Sequence, residues 1–158
     1  MRVFVLAAGE GTRLRPLTLY IPKSMLPVAG RPTLVHIIER LKKHGFTDIV
    51  LCVGYLGDQI IDYFGDGLRF GVKISYSKSE HPLGTAGELL HAKNYINGQF
   101  LLHYGDELTE INLRELIEYH KKSNGIGTLA LVKNIPLEVG VVEVDKSGNI
   151  LNFKEKPP

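Results

Sequence analysis

An apolar run, Val3–Ala8, empties directly into Gly9-Glu10-Gly11-Thr12-Arg13, and this junction constrains the fold more than any other stretch of the chain. A near-continuous apolar run of that length is the pattern of a strand covered on both faces, the condition of a parallel sheet with helices on each side. Parallel neighbours need a crossover between them, so helices must follow. The two glycines let the backbone turn tightly and bring N–H groups close to an anion, because neither carries a Cβ. Arg13 adds a planar, permanently charged fork. Lys23, in Ile21-Pro22-Lys23-Ser24, adds a point charge from a stretch that Pro16, Pro22 and Pro27 keep from becoming helical. Ligands of an α/β sheet bind at the carboxyl ends of strands, so the junction reads as a phosphate-binding loop in preference to a plain tight turn.

The rest of the chain repeats the theme. Ile49–Val53, Phe100–Leu102 and Thr128–Val132 are also near-continuous apolar runs and are expected as strands. A helix is predicted from Pro32 to His44, with Leu34, Ile37, Ile38 and Leu41 on one face and Gly45 past its end. A shorter one spans Asp58 to Phe64, stopped by Gly65-Asp66-Gly67. A third begins at Thr85, where Thr85-x-x-Glu88 reads as a capping box, and continues to Tyr95. Asn112 is expected to cap a fourth that buries Leu113, Leu116 and Ile117. This alternation predicts an α/β fold, a Rossmann-like, doubly wound, mostly parallel sheet flanked by helices. After Ile126 only strand-like segments remain, at Gly127–Lys133, Glu138–Asp145 and Ile150–Glu155, with Lys146-Ser147-Gly148-Asn149 as the hairpin turn of the last two.

With 158 residues the expectation is a single domain around one core. A net charge of +2, without a Lys/Arg block, argues against nucleic-acid and membrane partners. The single cysteine, Cys52, lies in an apolar run and reads as a small buried side chain. The apolar N-terminal run is too short to span a membrane and lacks a small-residue cleavage site, so a reducing, cytoplasmic setting is expected. The six histidines show no metal-site spacing. Neither a Gly-x-Ser-x-Gly elbow nor a Gly-Lys-Ser/Thr loop occurs, which removes the serine-hydrolase and P-loop readings. A dinucleotide-dependent oxidoreductase fails too: its third glycine would fall at Leu14, and the second strand ends at Gly54 with no acidic residue for a ribose.

Two further loops carry candidate chemistry. Gly105-Asp106 follows the strand Phe100–Leu102, and a lone carboxylate opposite a phosphate loop suits Mg²⁺, although a Gly-Asp pair is also an ordinary turn. Glu80-His81-Pro82-Leu83-Gly84-Thr85-Ala86-Gly87 leads into a helix N-terminus, whose free N–H groups favour anions or the acceptor edge of a base. Thr85 reads first as an N-cap. Glu80 is either an acceptor for the N1–H and exocyclic amine of guanine or a solvated loop charge.

Taken in order, Leu6-Ala7-Ala8-Gly9-x-Gly11-Thr12-Arg13-Leu14-Arg15-Pro16-Leu17-Thr18, Pro22-Lys23, Pro82-Leu83-Gly84-Thr85-Ala86-Gly87, Gly105-Asp106, Gly140-Val141-Val142 and Glu155-Lys156-Pro157 resemble the sugar-1-phosphate nucleotidyltransferases, end to end. The resemblance implies the fold of that family and an enzyme that converts an NTP and a sugar 1-phosphate into an NDP-sugar and pyrophosphate. It implies that Gly9, Gly11 and Thr12 cradle the nucleotide, that Arg13 and Lys23 hold the departing pyrophosphate, and that Asp106 binds Mg²⁺. Leu6, Ala8, Glu80, Gly84 and Thr85 would surround the base. Gly140 would admit the sugar, Glu155 would take its hydroxyls and Lys156 its phosphate. The stretch around Glu80 looks most like guanylyltransferases, which favours GTP with mannose 1-phosphate; dTTP or UTP with glucose 1-phosphate is the alternative, and a non-catalytic nucleotide-binding regulatory subunit a third reading. The resemblance is compatible with a homo-oligomer. Members of the family carry an aromatic residue where this chain has Val139 and continue beyond Glu-Lys-Pro, so the chain is expected to be the N-terminal portion of a longer catalytic domain.

Overall fold

The computed structural model describes residues 1–133 and 140–155. In chain order the elements are β1 (Arg2–Ala7), a small hairpin of β2 (Pro27–Val28) and β3 (Arg31–Pro32), α1 (Thr33–Lys43), β4 (Asp48–Val53), α2 (Gly57–Phe64), β5 (Lys73–Lys78), α3 (Gly84–His91), β6 (Phe100–Tyr104), α4 (Leu113–Ser123), β7 (Gly140–Val144) and β8 (Ile150–Glu155). The chain divides into two compact units, Met1–Leu113 and Arg114–Pro158.

In the first unit β1, β4, β5 and β6 form one parallel sheet in the order β5-β4-β1-β6. The chain winds outward from β1 through β4 to β5 and then returns to the other side of β1 as β6. The winding direction therefore reverses between β1 and β6, and a doubly wound sheet opens a crevice at the carboxyl ends of the strands flanking such a reversal. β1 and β4 are buried on both faces, as their apolar runs require. Phe4, Val50 and Cys52 pack with Ala92, Leu89, Tyr95 and Phe100, while the alternate residues Val3, Val5, Ile49 and Leu51 are equally buried on the opposite face. At the amino ends of the strands Arg2 donates to Asp48 (3.0 and 2.9 Å) and to the carbonyl of Tyr95 (2.6 Å).

The first helix follows its sequence closely. Leu34, Ile37, Ile38 and Leu41 of α1 are buried, and Gly45 sits at φ 89° just past the end. The Gly45 N–H donates to Lys42 (2.8 Å) and the Phe46 N–H to Leu41 (2.9 Å), which satisfies two terminal carbonyls. α2 likewise stops at Gly65.

α3 departs from expectation at both ends. The capping box at Thr85 is absent: Leu83 occupies the N-cap position without a side-chain cap bond, and Glu88 turns to Ser79 and the Leu83 N–H. α3 also ends at His91, and a separate 3-10 turn covers Lys93–Tyr95. β5 was not anticipated, since only Ile74 and Ser77 of Lys-Ile-Ser-Tyr-Ser-Lys are buried and an edge strand needs no continuous apolar run.

In the second unit α4 begins directly after Asn112. Thr128–Val132, expected as a strand, is irregular: Leu129, Leu131 and Val132 are 83%, 85% and 74% exposed. Its composition suits a strand, but a strand exists only through a pairing partner, and no described strand pairs with it. β7 and β8 form an antiparallel ribbon with Gly140 opposite Glu155. Residues 138 and 139 of the expected segment Glu138–Asp145 lie outside the described residues. The turn is built on Asp145, whose carboxylate accepts from the Asn149 side-chain amide (2.8 Å) and from the Ser147 and Asn149 N–H groups (2.8 and 2.9 Å). These bonds, the Asn149 amide foremost, hold its carboxyl below the usual range.

Leu34 is fully buried on α1. Leu34→Ala should lower the free energy of unfolding by about 2–5 kcal/mol, read from the urea midpoint at unchanged slope.

Candidate active site

The site grows from the register of β1 and β6. Leu6 pairs with Tyr104, and the next residue on β6's side, Gly105, donates its N–H to the Leu6 carbonyl at 2.8 Å. A Cβ on Gly105 would stand 2.8 Å from that same oxygen, so the close approach requires glycine. Asp106 thereby emerges beside the loop that leaves β1.

That loop is held by its own residues. Gly11 lies in the left-handed region at φ 63°, and Thr12–Leu14 form one 3-10 turn closed by Leu14 N–H to the Gly11 carbonyl (2.9 Å). Thr18, buried, donates its hydroxyl to the same carbonyl (2.9 Å). A Cβ on Gly11 would meet Lys23 Cβ and Thr18 Cγ2 at 3.0 Å each. Gly11 thus serves the packing of the Lys23 segment, whereas a Cβ on Gly9 would meet nothing within 4 Å. Arg15 is engaged with Glu10 at 3.1 Å, while Arg13 is exposed and makes no ion pair among the described residues. Lys23 Nζ donates to Asp106 Oδ2, an ion pair about two-thirds buried on each side.

Two adjoining hollows meet at Gly9, Lys23 and Asp106. The first, about 270 Å³, is lined mainly by apolar groups: Leu6, Ala7, Ala8, Ser24, Pro82, Leu83, Gly84, Thr85, Glu88, Tyr104 and Gly105 accompany the three shared residues. The second adds Gly11, Thr12, Arg13 and Leu14. Of the residues picked from the sequence, Leu6, Ala8, Gly84 and Thr85 therefore line the apolar part, Gly11, Thr12 and Arg13 the charged part, and Gly9, Lys23 and Asp106 both. Glu80 is exposed and lines neither. Gly140 and Glu155 face each other across the ribbon of the second unit, and Lys156 lies outside the described residues.

Two residues of the cleft escaped sequence reasoning. Ser24 and Glu88 are buried, line the apolar part, and each has a polar atom, Ser24 Oγ and Glu88 Oε2, without a hydrogen-bond partner among the described residues. Ser24 carries no signal of its own beside Lys23. Glu88 carries a visible one, an acid in the otherwise small and apolar run Ala86-Gly87-Glu88-Leu89-Leu90, which a capping box accounts for equally well.

An anion suits the loop N–H groups with Arg13 and Lys23, and a flat apolar group suits the Leu6, Leu83 and Tyr104 side. Among the described residues no three His, Cys, Asp or Glu side chains are grouped as a metal site, so a cation here would rest on Asp106 and on oxygens brought by a ligand. Burial, with the charge of Glu88 second, pushes the Cys52 thiol up to about 12, which makes it a neutral core group and no nucleophile.

Gly11→Ala places a Cβ at positive φ against Lys23 and should cost about 1–2 kcal/mol of stability by denaturant titration. Cys52 should resist maleimide at neutral pH in the native protein and react at once in denaturant, followed by mass spectrometry.

The nucleotidyl transferase family model matches residues 2–158. The chain is 37% identical over 173 residues to a UTP–glucose-1-phosphate uridylyltransferase of Synechocystis sp., covering 99% of this chain and 44% of that protein. It is 38% identical over 154 residues to a mannose-1-phosphate guanylyltransferase of Mycobacterium tuberculosis, covering 96% of this chain and 43% of the relative. The chain thus spans less than half the length of these curated relatives. Among solved structures, that of a Bacillus anthracis protein titled a putative glucose-1-phosphate thymidylyltransferase superimposes with a TM-score of 0.72 at 26% identity, covering 99% of this chain and 65% of that one. HddC from Yersinia pseudotuberculosis complexed with GMP-PN gives a TM-score of 0.69 at 26% identity, covering 99% and 70%. Sheet order and these similarities agree, and the chain belongs to the nucleotidyl transferase family.

Proposed function

We propose that this chain binds the nucleotide in an enzyme that makes an NDP-sugar and pyrophosphate from an NTP and a sugar 1-phosphate. The observation that carries the reading is the meeting of the Gly9–Arg13 loop, Lys23 and Asp106 at the mouth of an apolar cleft, where the sheet reverses its winding. In-line attack of the sugar phosphate on the α-phosphorus asks little covalent chemistry of the protein, so positioning and charge neutralisation supply most of the catalysis. The apolar part seats the base. Loop N–H groups, Arg13 and Lys23 take the phosphates and the charge that builds on the departing pyrophosphate.

Asp106 is a partly exposed carboxylate whose present partner is a lysine, and it fits Mg²⁺, which takes one or two carboxylates and completes its shell from phosphates and water. Mg²⁺ bound there would neutralise phosphate charge at the reacting centre. Lys23 and Asp106 now neutralise one another; a phosphate and a divalent cation together replace each partner for the other. On the sugar side Gly140 leaves room at the backbone, Glu155 takes hydroxyls and Lys156 the sugar phosphate.

GTP with mannose 1-phosphate is the preferred pair, on the likeness of the Glu80–Gly87 loop and on the guanylyltransferase relative. The uridylyltransferase relative and the structure titled as a thymidylyltransferase support UTP or dTTP with glucose 1-phosphate as the second reading. The cytoplasm is the proposed setting, and among the described residues no helix is long and apolar enough to cross a membrane.

Pyrophosphate release over a panel of NTPs and sugar 1-phosphates tests this directly. One pair should turn over, EDTA should abolish the release, and Arg13→Ala or Asp106→Ala should each lower kcat by about a hundredfold or more. Silence from every pair, with the biological role intact in both variants, would favour a regulatory nucleotide-binding subunit instead.

A further inference from the structure

Of residues 9–21, which carry most of the groups of the charged hollow, Thr18 alone is buried. It is 1% exposed, while its neighbours Leu17 and Leu19 are 60% and 43% exposed. Burial of apolar area would favour either leucine, so what distinguishes the position is the hydroxyl. That hydroxyl donates to the Gly11 carbonyl at 2.9 Å, the same oxygen that accepts the Leu14 N–H and closes the turn Thr12–Leu14. Thr18 lines neither hollow, so its action on a ligand must pass through what it holds. What it holds is the start of the turn. Gly11, at φ 63° and without a Cβ, leaves the peptide that follows it freer to rotate than another residue would. A trans peptide is planar with its C=O and N–H pointing opposite ways, so a carbonyl fixed on Thr18 turns the Thr12 N–H away from Thr18 and sets the direction in which the chain enters the turn.

Arg13 is the middle residue of that turn. Its side chain is exposed and makes no ion pair among the described residues, whereas Arg15 is tied to Glu10 at 3.1 Å. With no charged partner to orient it, Arg13 owes its place in the charged hollow to the backbone beneath it. The far side of Thr18 is secured separately, since Gln59 of α2 donates to the Tyr20 carbonyl at 2.9 Å. We propose that Thr18 is the positioning residue of Arg13: its buried hydroxyl ties the Gly11 turn to a segment fastened on α2 and so holds the guanidinium where the phosphates arrive. A guanidinium placed in advance loses less on binding than one that must be ordered by the ligand. The inference rests on the reading that Arg13 takes the phosphates of a nucleotide.

Equilibrium titration of the whole chain with tripolyphosphate, GTP, UTP and dTTP, with Mg²⁺ present, tests both levels. Thr18→Val removes the hydroxyl at nearly equal volume and should weaken tripolyphosphate and the best-bound nucleotide alike, by about tenfold. Thr18→Ser keeps the hydroxyl and should stay within about threefold of the unaltered chain. In an Arg13→Ala chain the Thr18→Val change should cost less than about twofold, because two residues that act as a unit are not additive. A Thr18 that only stabilised the fold would weaken both backgrounds equally. If Thr18→Val does not melt cooperatively, Thr18→Ser and Thr18→Ala, which differ only in the hydroxyl, carry the comparison. Unchanged affinity without the hydroxyl, a Thr18→Ser loss as large as that of Thr18→Val, or additive losses with Arg13→Ala would overturn the role of Thr18 and leave the nucleotide site standing. Failure of the unaltered chain to bind tripolyphosphate or any of the nucleotides would overturn the proposed function itself.

Discussion

β1 hydrogen-bonds to a parallel neighbour on each side, Val3–Ala7 against Ile49–Val53 and Arg2–Leu6 against Phe100–Tyr104, and the site depends on that double pairing. Because both registers are set, the ends of β1 and β6 come out level, and Gly105 is drawn onto the Leu6 carbonyl. A shift of one residue would carry Phe4, Val50 and Cys52 to the opposite face of the sheet and away from Leu89 and Ala92, so their packing enforces the alignment on which the cleft is built. The cleft is in this sense a by-product of core packing. Its precision is inherited from residues that never touch a ligand.

Charge is then distributed over that frame with little redundancy. The loop cations, the N–H groups around Gly9 and the single acid Asp106 occupy one mouth, and the neighbouring apolar hollow holds few polar atoms. The Lys23–Asp106 pair keeps two opposite charges partly shielded yet mutually satisfied. Burying either without the other would be costly, and exchange of each for a charged ligand keeps the balance. Among the described residues Ser24 and Glu88, which line the same cleft, each hold a buried polar atom without a partner.

Much of the first unit was legible in its sequence. Strands buried on both faces must be apolar throughout, so β1 and β4 announced themselves, and α1 showed both its buried stripe and the glycine that ends it. β5 did not, since an edge strand half in contact with solvent carries a mixed composition. Thr128–Val132 misled for the complementary reason: apolar, β-prone residues lacking a partner strand stay irregular. At the site, Arg13, Lys23 and Asp106 stand in motifs whose chemistry is readable, whereas Thr18 and Glu88 act through side-chain bonds to the Gly11 carbonyl, Ser79 and the Leu83 N–H, which no motif registers.

By itself the sequence determined the periodicities, hence which segments become strands and helices, and the order of the glycine- and charge-bearing loops, because these depend on residues within a turn or two of one another. Only the tertiary structure decided that the loops after β1 and β6 meet, that Lys23 pairs with Asp106, and that Glu88 is among the residues lining the cleft while Glu80 is not. Those outcomes follow from strand register and helix placement. They depend on contacts between residues far apart along the chain, 83 positions for Lys23 and Asp106, which no local pattern can encode.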